Sequence, residues 1–165
     1  MFDQSKLLKD AFHILKIKDT GAIIFHKNAV KVKVDNGELN CFIPVAEYIG
    51  RLSSRKGFVG ITKEENASIY QWLEYCLLHS NLKETKEMLD ELNTILTGKT
   101  YFVNNRFTIA DLILYLSLHS IYSCMTFQDK ETYNHLSRWF RLIQKEADAS
   151  ELYPKIVFCK TSLYS

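Results

Sequence analysis

One segment of the sequence, residues 108–118, constrains the fold more than any other. It begins Thr108-Ile-Ala-Asp111, in which a threonine and an acidic residue three positions later can pair with backbone amides as a helix-capping box. The residues that follow, from Leu112 to Leu118, are apolar on every side of a helix. Such a helix must be buried on all faces. The sequence therefore predicts a helical bundle around it, with Thr108 and Asp111 as structural capping residues.

Further helices are predicted on both sides of this segment, because apolar residues recur at spacings of three and four. They are residues 62–79, residues 88–96 and a helix that starts near Asp129. Thr62-Lys-Glu-Glu65 forms a second capping box, and Gly98 stands where a glycine commonly ends a helix. The tail, residues 156–164, is predicted to pack back onto the bundle.

In the first third of the chain, the spacing of the apolar residues changes twice. Residues 5–16 carry an apolar helical stripe, whereas residues 30–34 alternate strictly between valine and lysine, as in a strand with one solvated face. Residues 35–37, Asp-Asn-Gly, are typical of a turn. The predicted elements of this part are, in order, helix 5–16, strands 22–25 and 30–34, and helix 44–52.

A basic linker that contains glycine, residues 51–60, follows these elements and suggests a boundary. We therefore predict an α+β lobe at 1–57 and an all-helical lobe at 58–165. No apolar run reaches the roughly eighteen residues of a membrane helix, and the N-terminus lacks a signal-peptide pattern, so we expect a cytosolic protein with no membrane partner. A net charge of +2 gives no concentrated basic face and argues against direct nucleic-acid binding.

A small α+β lobe joined to a helical lobe with this Thr108–Asp111 box resembles the glutathione-transferase-like family. Asn104 stands where that family commonly has glycine, and asparagine is the next most tolerant residue for a left-handed backbone. The resemblance implies a mostly helical α+β fold, with an abbreviated thioredoxin-like N-terminal lobe and an all-α C-terminal bundle.

Residues 71–75, 107–112, 137–140 and 157–158 resemble, more closely, the non-catalytic adaptors of the multi-aminoacyl-tRNA synthetase complex. This resemblance implies a scaffold in protein biosynthesis that binds the glutathione-transferase-like domains of methionyl-tRNA synthetase and glutamyl-prolyl-tRNA synthetase. It also implies a cytoplasmic protein with a nuclear role in the DNA-damage response. A homodimer in isolation is compatible with it.

Three features that a glutathione transferase needs are altered. The chain opens with a helix, so no first strand precedes it to carry the side chain that stabilises the glutathione thiolate. Ala29-Val30 stands where the family has its cis-proline, and Leu39-Asn40 replaces the acidic residue and serine that hold the γ-glutamyl group. We therefore expect no catalytic residue and no cofactor, with a glutathione transferase as the alternative.

The cysteines and histidines form no metal-ligand or redox motif. Neither a Cys-x-x-Cys pair nor a His-Glu-x-x-His helix is present. Cys41 lies at a predicted helix start, where a thiol pKa can fall, but no resolving residue lies at a useful spacing. We predict no metal site and ordinary buried thiols at the four cysteines, Cys41, Cys76, Cys124 and Cys159.

Two surfaces are predicted to bind partners, by the family resemblance. The first combines helix 44–52 with helix 62–79, and the second is the helix that contains residues 137–140. The predicted partner-binding residues are Tyr48, Arg51, Tyr70, Glu74, Arg138 and Arg141. Aromatic residues and arginine are enriched at interfaces. The alternatives are that Leu73 and Leu77 are simply core residues and that Arg138 is an ordinary solvated charge.

A rival interpretation is a module that contacts tRNA through a strip of basic residues. These are Lys27, Lys31, Lys33, Arg55 and Lys56. No aromatic residues are interleaved with them, and lysines that alternate with valines are typical of any half-exposed strand. We therefore favour a solvated face.

Overall fold

A helix, a three-stranded sheet and six further helices make up the described part of the chain, in that order. The computed structural model describes residues 3–18, 23–25, 30–34, 37–79 and 85–158. The elements are α1 (Gln4–Ile14), β1 (Ile23–Phe25), β2 (Val30–Val34), β3 (Gly37–Leu39), α2 (Phe42–Leu52), α3 (Lys63–Leu78), α4 (Thr85–Ile95), α5 (Ile109–Cys124), α6 (Phe127–Thr132) and α7 (Asn134–Ala147). The fold is therefore α+β and mostly helical, as predicted.

The sheet is antiparallel, with β2 between β1 and β3. Val32 pairs with Ile23 on one side and with Leu39 on the other. Val30 and Val32 are buried under α1 and α2, whereas Lys33 is exposed, so the alternation of valine and lysine has the predicted outcome. The predicted strand residue Ala22 and turn residues 35–36 lie outside the described residues.

The linker between α2 and α3 is packed onto the helical bundle. Gly50, buried in α2, has no room for a side chain, because a Cβ there would lie 2.5 Å from Cγ1 of Val59. The carbonyl of Phe58 accepts a hydrogen bond from the amide of Ile109 at 2.9 Å. It thereby satisfies one of the amides that the first turn of α5 leaves unpaired. Since α1 and α2 also pack on α5, one continuous core joins both parts of the chain.

Helix α5 lies at the centre of the molecule, with α1, α2, α3 and α7 against it. All of its residues from Ile109 to Leu116 are buried, which confirms the predicted helix with no solvated face. The largest side chains of α7, Trp139 and Phe140, fill the space beside it. The Phe140 ring stacks on Tyr122 with centroids 4.4 Å apart.

The single helix predicted from about Asp129 is instead two helices, α6 and α7, with a break at Tyr133. Thr126 and Asp129 form a capping box of their own, which starts α6 earlier than predicted. Tyr133 then adopts non-helical backbone angles, φ −95° and ψ 54°. The first turn of α7 takes its cap from another helix, as described below.

Residues 153–158, here called the strap, run back across the bundle. The Tyr153 hydroxyl donates to Asp10 of α1 at 2.6 Å, and His119 Nε2 donates to the Pro154 carbonyl at 3.1 Å. The Gln144 side chain accepts from the Ile156 amide at 2.8 Å and donates to the Ile156 carbonyl at 3.2 Å. The predicted packing of the tail is thus confirmed as far as residue 158, and residues 159–164 lie outside the described residues.

Candidate partner-binding surfaces

Asp111 is the buried polar centre of the bundle. Its carboxylate accepts four hydrogen bonds of 2.9 to 3.1 Å, donated by the Phe102 amide, the Trp139 indole and both the amide and hydroxyl of Thr108. Burial raises the pKa of Asp111, and the four bonds oppose that rise. A carboxylate that is fully buried and fully used in this way suits a structural role. The bond to Trp139 was not predicted, although a buried indole N–H generally needs an acceptor.

Glu65 is a second buried carboxylate, only 7% exposed, and its partners differ from the prediction. The Thr62 hydroxyl accepts from the Glu65 amide at 3.2 Å, which is half of the expected capping box. The Glu65 carboxylate, however, accepts its closest backbone hydrogen bond from the Ile61 amide, at 2.7 Å, rather than from Thr62. It also accepts from Asn104 and from Arg106, the latter at 2.8 Å.

These contacts explain why asparagine, rather than glycine, stands at position 104. The residue has φ +56°, the left-handed conformation expected from its position in the family pattern. Glycine would adopt that backbone equally well but could not donate to Glu65. Hydrogen bonds from the Ile61 amide and the Asn104 side chain, with the nearby Arg106 charge, lower the pKa of Glu65. The carboxylate therefore joins the start of α3 to the loop before α5.

The first candidate surface lies on α2 and α3, which pack against each other. Tyr70 is 48% exposed and Glu74 is exposed, while the Arg51 side chain is solvated and lies 3.8 Å from Glu47. Tyr48 is half-buried against the core. The predicted residues Tyr48, Arg51, Tyr70 and Glu74 thus belong to adjoining helices, with Tyr48 the least accessible.

Leu78 is an exposed residue of α3 that the sequence reasoning did not select. Its exposure is 71%, and Ile61, just before the helix, is 65% exposed. Leu78 follows Glu74 by one helical turn, so it extends the stripe of Tyr70 and Glu74. An exposed leucine beside an exposed tyrosine on one helix face is compatible with a protein-binding surface. Leu73 is fully buried and Leu77 is half-buried, so the core alternative holds for Leu73.

The second candidate surface is the solvated side of α7. Arg138 and Arg141 are exposed there, whereas Trp139 and Phe140 lie in the core. A shallow groove of about 460 Å³ runs beside them. Its lining consists of Thr100, Arg138, Trp139, Arg141, Leu142 and Lys145. The groove combines cations with apolar side chains and contains no acidic residue.

Arg138, predicted to bind a partner, also makes contacts within the chain that the sequence did not suggest. Its Nη2 donates to the carbonyls of Leu96 at 3.0 Å and Lys99 at 2.7 Å, in the turn that ends α4. An arginine at this position satisfies carbonyls that the helix leaves unpaired. Arg141 makes no hydrogen bond or ion pair with any described residue, so it is the more accessible of the two.

Some of the basic residues predicted for a tRNA-contacting strip bind other parts of the chain instead. Lys31 pairs with Glu38 at 3.3 Å. Arg55 lies over the Phe107 ring, 5.0 Å from its centroid, and donates to the Glu146 carbonyl at 2.9 Å. Lys33 and Lys56 are exposed, and Lys27 lies outside the described residues. The described cations therefore form no continuous strip of unpaired charge.

The prediction that all four thiols are buried was wrong for two of them. Cys41 and Cys124 are exposed, because Cys41 precedes the first turn of α2 and Cys124 ends α5. Cys76 is buried, which raises the pKa of its thiol to about 12, and Cys159 lies outside the described residues. No three histidine, cysteine or acidic side chains come together as a metal site within the described ranges. None of the described helices has the length and apolar character needed to span a membrane.

Comparisons with known proteins match one family model and several proteins of translation. Residues 65–147 match the model of a family described as nuclear-export cofactor Arc1p, N-terminal-like. The chain is 36% identical over 125 residues to eukaryotic translation elongation factor 1 epsilon-1 of Mus musculus, which covers 73% of this chain and 72% of that protein. It is 34% identical over 139 residues to the same protein of Cricetulus griseus, covering 81% of this chain and 80% of the relative.

A relative of a different kind is the bifunctional glutamate/proline–tRNA ligase of Cricetulus griseus. The identity is 28% over 134 residues, which cover 73% of this chain but only 9% of the ligase. One short part of that large protein is therefore similar to most of this chain. The matches over 72% and 80% of the length of the two epsilon-1 proteins decide the assignment: this chain belongs to the eukaryotic translation elongation factor 1 epsilon-1 family.

Proposed function

We propose that this protein is a non-catalytic adaptor of the multi-aminoacyl-tRNA synthetase complex. The observation that carries the proposal is its similarity both to the epsilon-1 proteins and to one short part of a glutamate/proline–tRNA ligase. A synthetase thus contains a segment like this chain. Homologous domains commonly associate through equivalent surfaces, as identical subunits do in symmetric dimers. Protein biosynthesis is therefore the process in which the adaptor acts.

The proposed partners are the glutathione-transferase-like domains of methionyl-tRNA synthetase and glutamyl-prolyl-tRNA synthetase. In this proposal the chain has the same fold, with an abbreviated N-terminal lobe. One partner binds α2 and α3 through Tyr48, Arg51, Tyr70 and Glu74, and the other binds α7 through Arg138 and Arg141. The exposed Tyr70 and Leu78 and the basic groove of α7 support two separate surfaces of different chemistry.

The proposed absence of catalysis has support in how the buried carboxylates are used. Asp111 and Glu65 are both committed to hydrogen bonds that hold the bundle together. Asn40, in the expected γ-glutamyl site, is an exposed amide that carries no charge. Retention on immobilised glutathione, or conjugation of glutathione to a generic electrophile, would overturn this part of the proposal.

Binding to purified partner domains tests the adaptor directly. We expect each synthetase domain to bind the wild-type protein in isothermal titration calorimetry. Arg141→Ala on α7 and Tyr70→Ala on α3 should each weaken one partner by about tenfold and leave the other unchanged, since interface arginines and tyrosines often contribute above 1 kcal/mol. Each variant serves as the control for the other. Failure of both domains to bind would contradict the proposal.

The proposal also places the protein in the cytoplasm, with a nuclear fraction that acts in the DNA-damage response. Cell fractionation before and after DNA damage tests that part. Without a partner, the exposed stripe of Tyr70, Glu74 and Leu78 on α3 would pair with a second copy, giving a homodimer. A monomeric mass in light scattering at micromolar concentration would exclude that homodimer, but the two heterotypic surfaces do not depend on it.

A further inference from the structure

Helices α4 and α7 cap each other. The Asn93 side chain on α4 accepts hydrogen bonds from the amides of His135 and Leu136, both at 3.0 Å. Arg138 on α7 donates through Nη2 to the carbonyls of Leu96 and Lys99 in the turn after α4. Unpaired amides at one helix start and unpaired carbonyls at one helix end are thus satisfied by the opposite helix. We call the pair Asn93 and Arg138 the reciprocal cap.

Asn93 supplies a cap that α7 does not have in its own sequence. The N-cap residue of α7, Tyr133, has no side-chain oxygen within reach and makes no capping hydrogen bond. The two amides that Asn93 binds belong to the first turn of the helix. Asn93 therefore helps to fix where α7 begins and how it is rotated against α4.

The rotation of α7 about its own axis determines which side chains lie on its solvated side. Both bonds of Arg138 use Nη2, so Nε and Nη1 make no hydrogen bond to a described residue. The guanidinium is thereby held at the wall of the groove that Arg141 and Lys145 also line. A cation that is ordered before binding loses less conformational entropy when a partner docks. Displacing the first turn of α7 would move Arg138 and widen its range of orientations.

We infer that Asn93 is a positioning residue for the α7 surface, which acts through the reciprocal cap without touching the partner. This inference rests on the proposed function, because it concerns the partner that docks on α7. Asn93 is half-buried and does not line the groove. A choice of interface residues based on their solvent exposure would therefore not include Asn93.

The test compares Asn93→Ala with Asn93→Asp, whose carboxylate keeps an acceptor for the two amides. The matched control is Asp3→Ala, which removes the cap of α1, a helix that belongs to neither surface; there Asp3 accepts from the Lys6 amide at 3.1 Å. Binding of the two purified synthetase domains is measured by calorimetry at 15 °C, after circular dichroism shows that each variant is folded. If Asn93→Ala does not fold, Asn93→Gln, which moves the amide by one methylene, replaces it.

We expect Asn93→Ala to weaken the partner that is sensitive to Arg141→Ala by about tenfold. The other partner should keep its affinity, Asn93→Asp should restore binding, and Asp3→Ala should change neither. Equal affinities of Asn93→Ala and wild type, or equal losses of affinity for both partners, would overturn the inference. Neither result would contradict the proposed adaptor function. Failure of the wild-type protein to bind either domain would overturn the proposed function, and this inference with it.

Discussion

Asp111 and Asp129 make the same two hydrogen bonds in different surroundings. Each carboxylate accepts from the amide and the hydroxyl of a threonine three residues earlier. Asp111 is fully buried and also accepts from Trp139 and Phe102, whereas Asp129 is exposed. Comparing the two residues therefore separates the stability that a capping box contributes from the stability that depends on burial.

We predict that Asp111→Ala lowers the free energy of unfolding by about 3 kcal/mol, because it leaves buried donors on Trp139 and Phe102 without an acceptor. Asp129→Ala should lower it by about 1 kcal/mol, the usual effect of losing a helix cap. Urea unfolding followed by circular dichroism measures both. Similar losses for the two variants would show that the buried donors find other partners.

The lowered pKa of Glu65 predicts how stability depends on pH. A carboxyl whose pKa is lower in the folded state stabilises the protein above its unfolded pKa of about 4.3. That contribution is lost as the pH falls through the folded pKa. We expect Glu65→Gln to be less stable than wild type at pH 7, with a difference that shrinks below about pH 4.

Urea titrations between pH 7 and pH 3 measure this difference. Glu74→Gln is the matched control, since Glu74 is exposed on the same helix and makes no hydrogen bond or ion pair with a described residue. Its stability should follow that of wild type throughout. If the difference in the free energy of unfolding between wild type and Glu65→Gln stays constant down to pH 3, ionisation of Glu65 is not its source.

At the scale of elements, one side chain of α7 binds the strap at Ile156. Gln144 binds both the amide and the carbonyl of Ile156, as a neighbouring strand would. We predict that Gln144→Ala speeds hydrogen exchange of the Ile156 amide by about tenfold, the effect of losing roughly 1.4 kcal/mol of local stability. Exchange is followed by nuclear magnetic resonance. Lys145→Ala, at the next and exposed position, should leave the amide unchanged, and equal protection in all three proteins would refute the role of Gln144.

Elements whose signals are local were predictable from the sequence. The capping box at Thr108 and the apolar run after it were sufficient for α5, and the alternation of valine and lysine was sufficient for β2. The break between α6 and α7 was missed, although Thr126 and Asp129 are the same kind of signal as Thr108 and Asp111. A continuous apolar stripe through Tyr133, Leu136 and Trp139 concealed it.

Contacts between distant residues were not predictable in the same way. Glu65 binds Asn104 and Arg106, about forty positions along the chain, and Asn93 reaches His135 across a similar separation. No spacing rule links such residues, because the fold alone brings them together. The same reason explains why the bonds of Arg138 to the turn after α4 were not predicted. The exposed cysteines Cys41 and Cys124 were mispredicted because both stand at helix ends, where burial has no periodic signal.

At the scale of the molecule, the two candidate surfaces lie on a single packed body. The linker is anchored by Phe58 and Arg55, and the strap ties α1 to the helical bundle through Tyr153 and Asp10. Such anchoring removes the independent motion expected of lobes joined by a free linker. An adaptor built in this way would hold two partners at a fixed geometry.

The most direct test of the central claim is the mass of the complex formed when the protein is mixed with both synthetase domains. Size-exclusion chromatography with light scattering measures it. The adaptor account predicts a single species that contains one copy of each of the three proteins, because the two surfaces are separate. Two binary complexes in which the synthetase domains displace each other would contradict it.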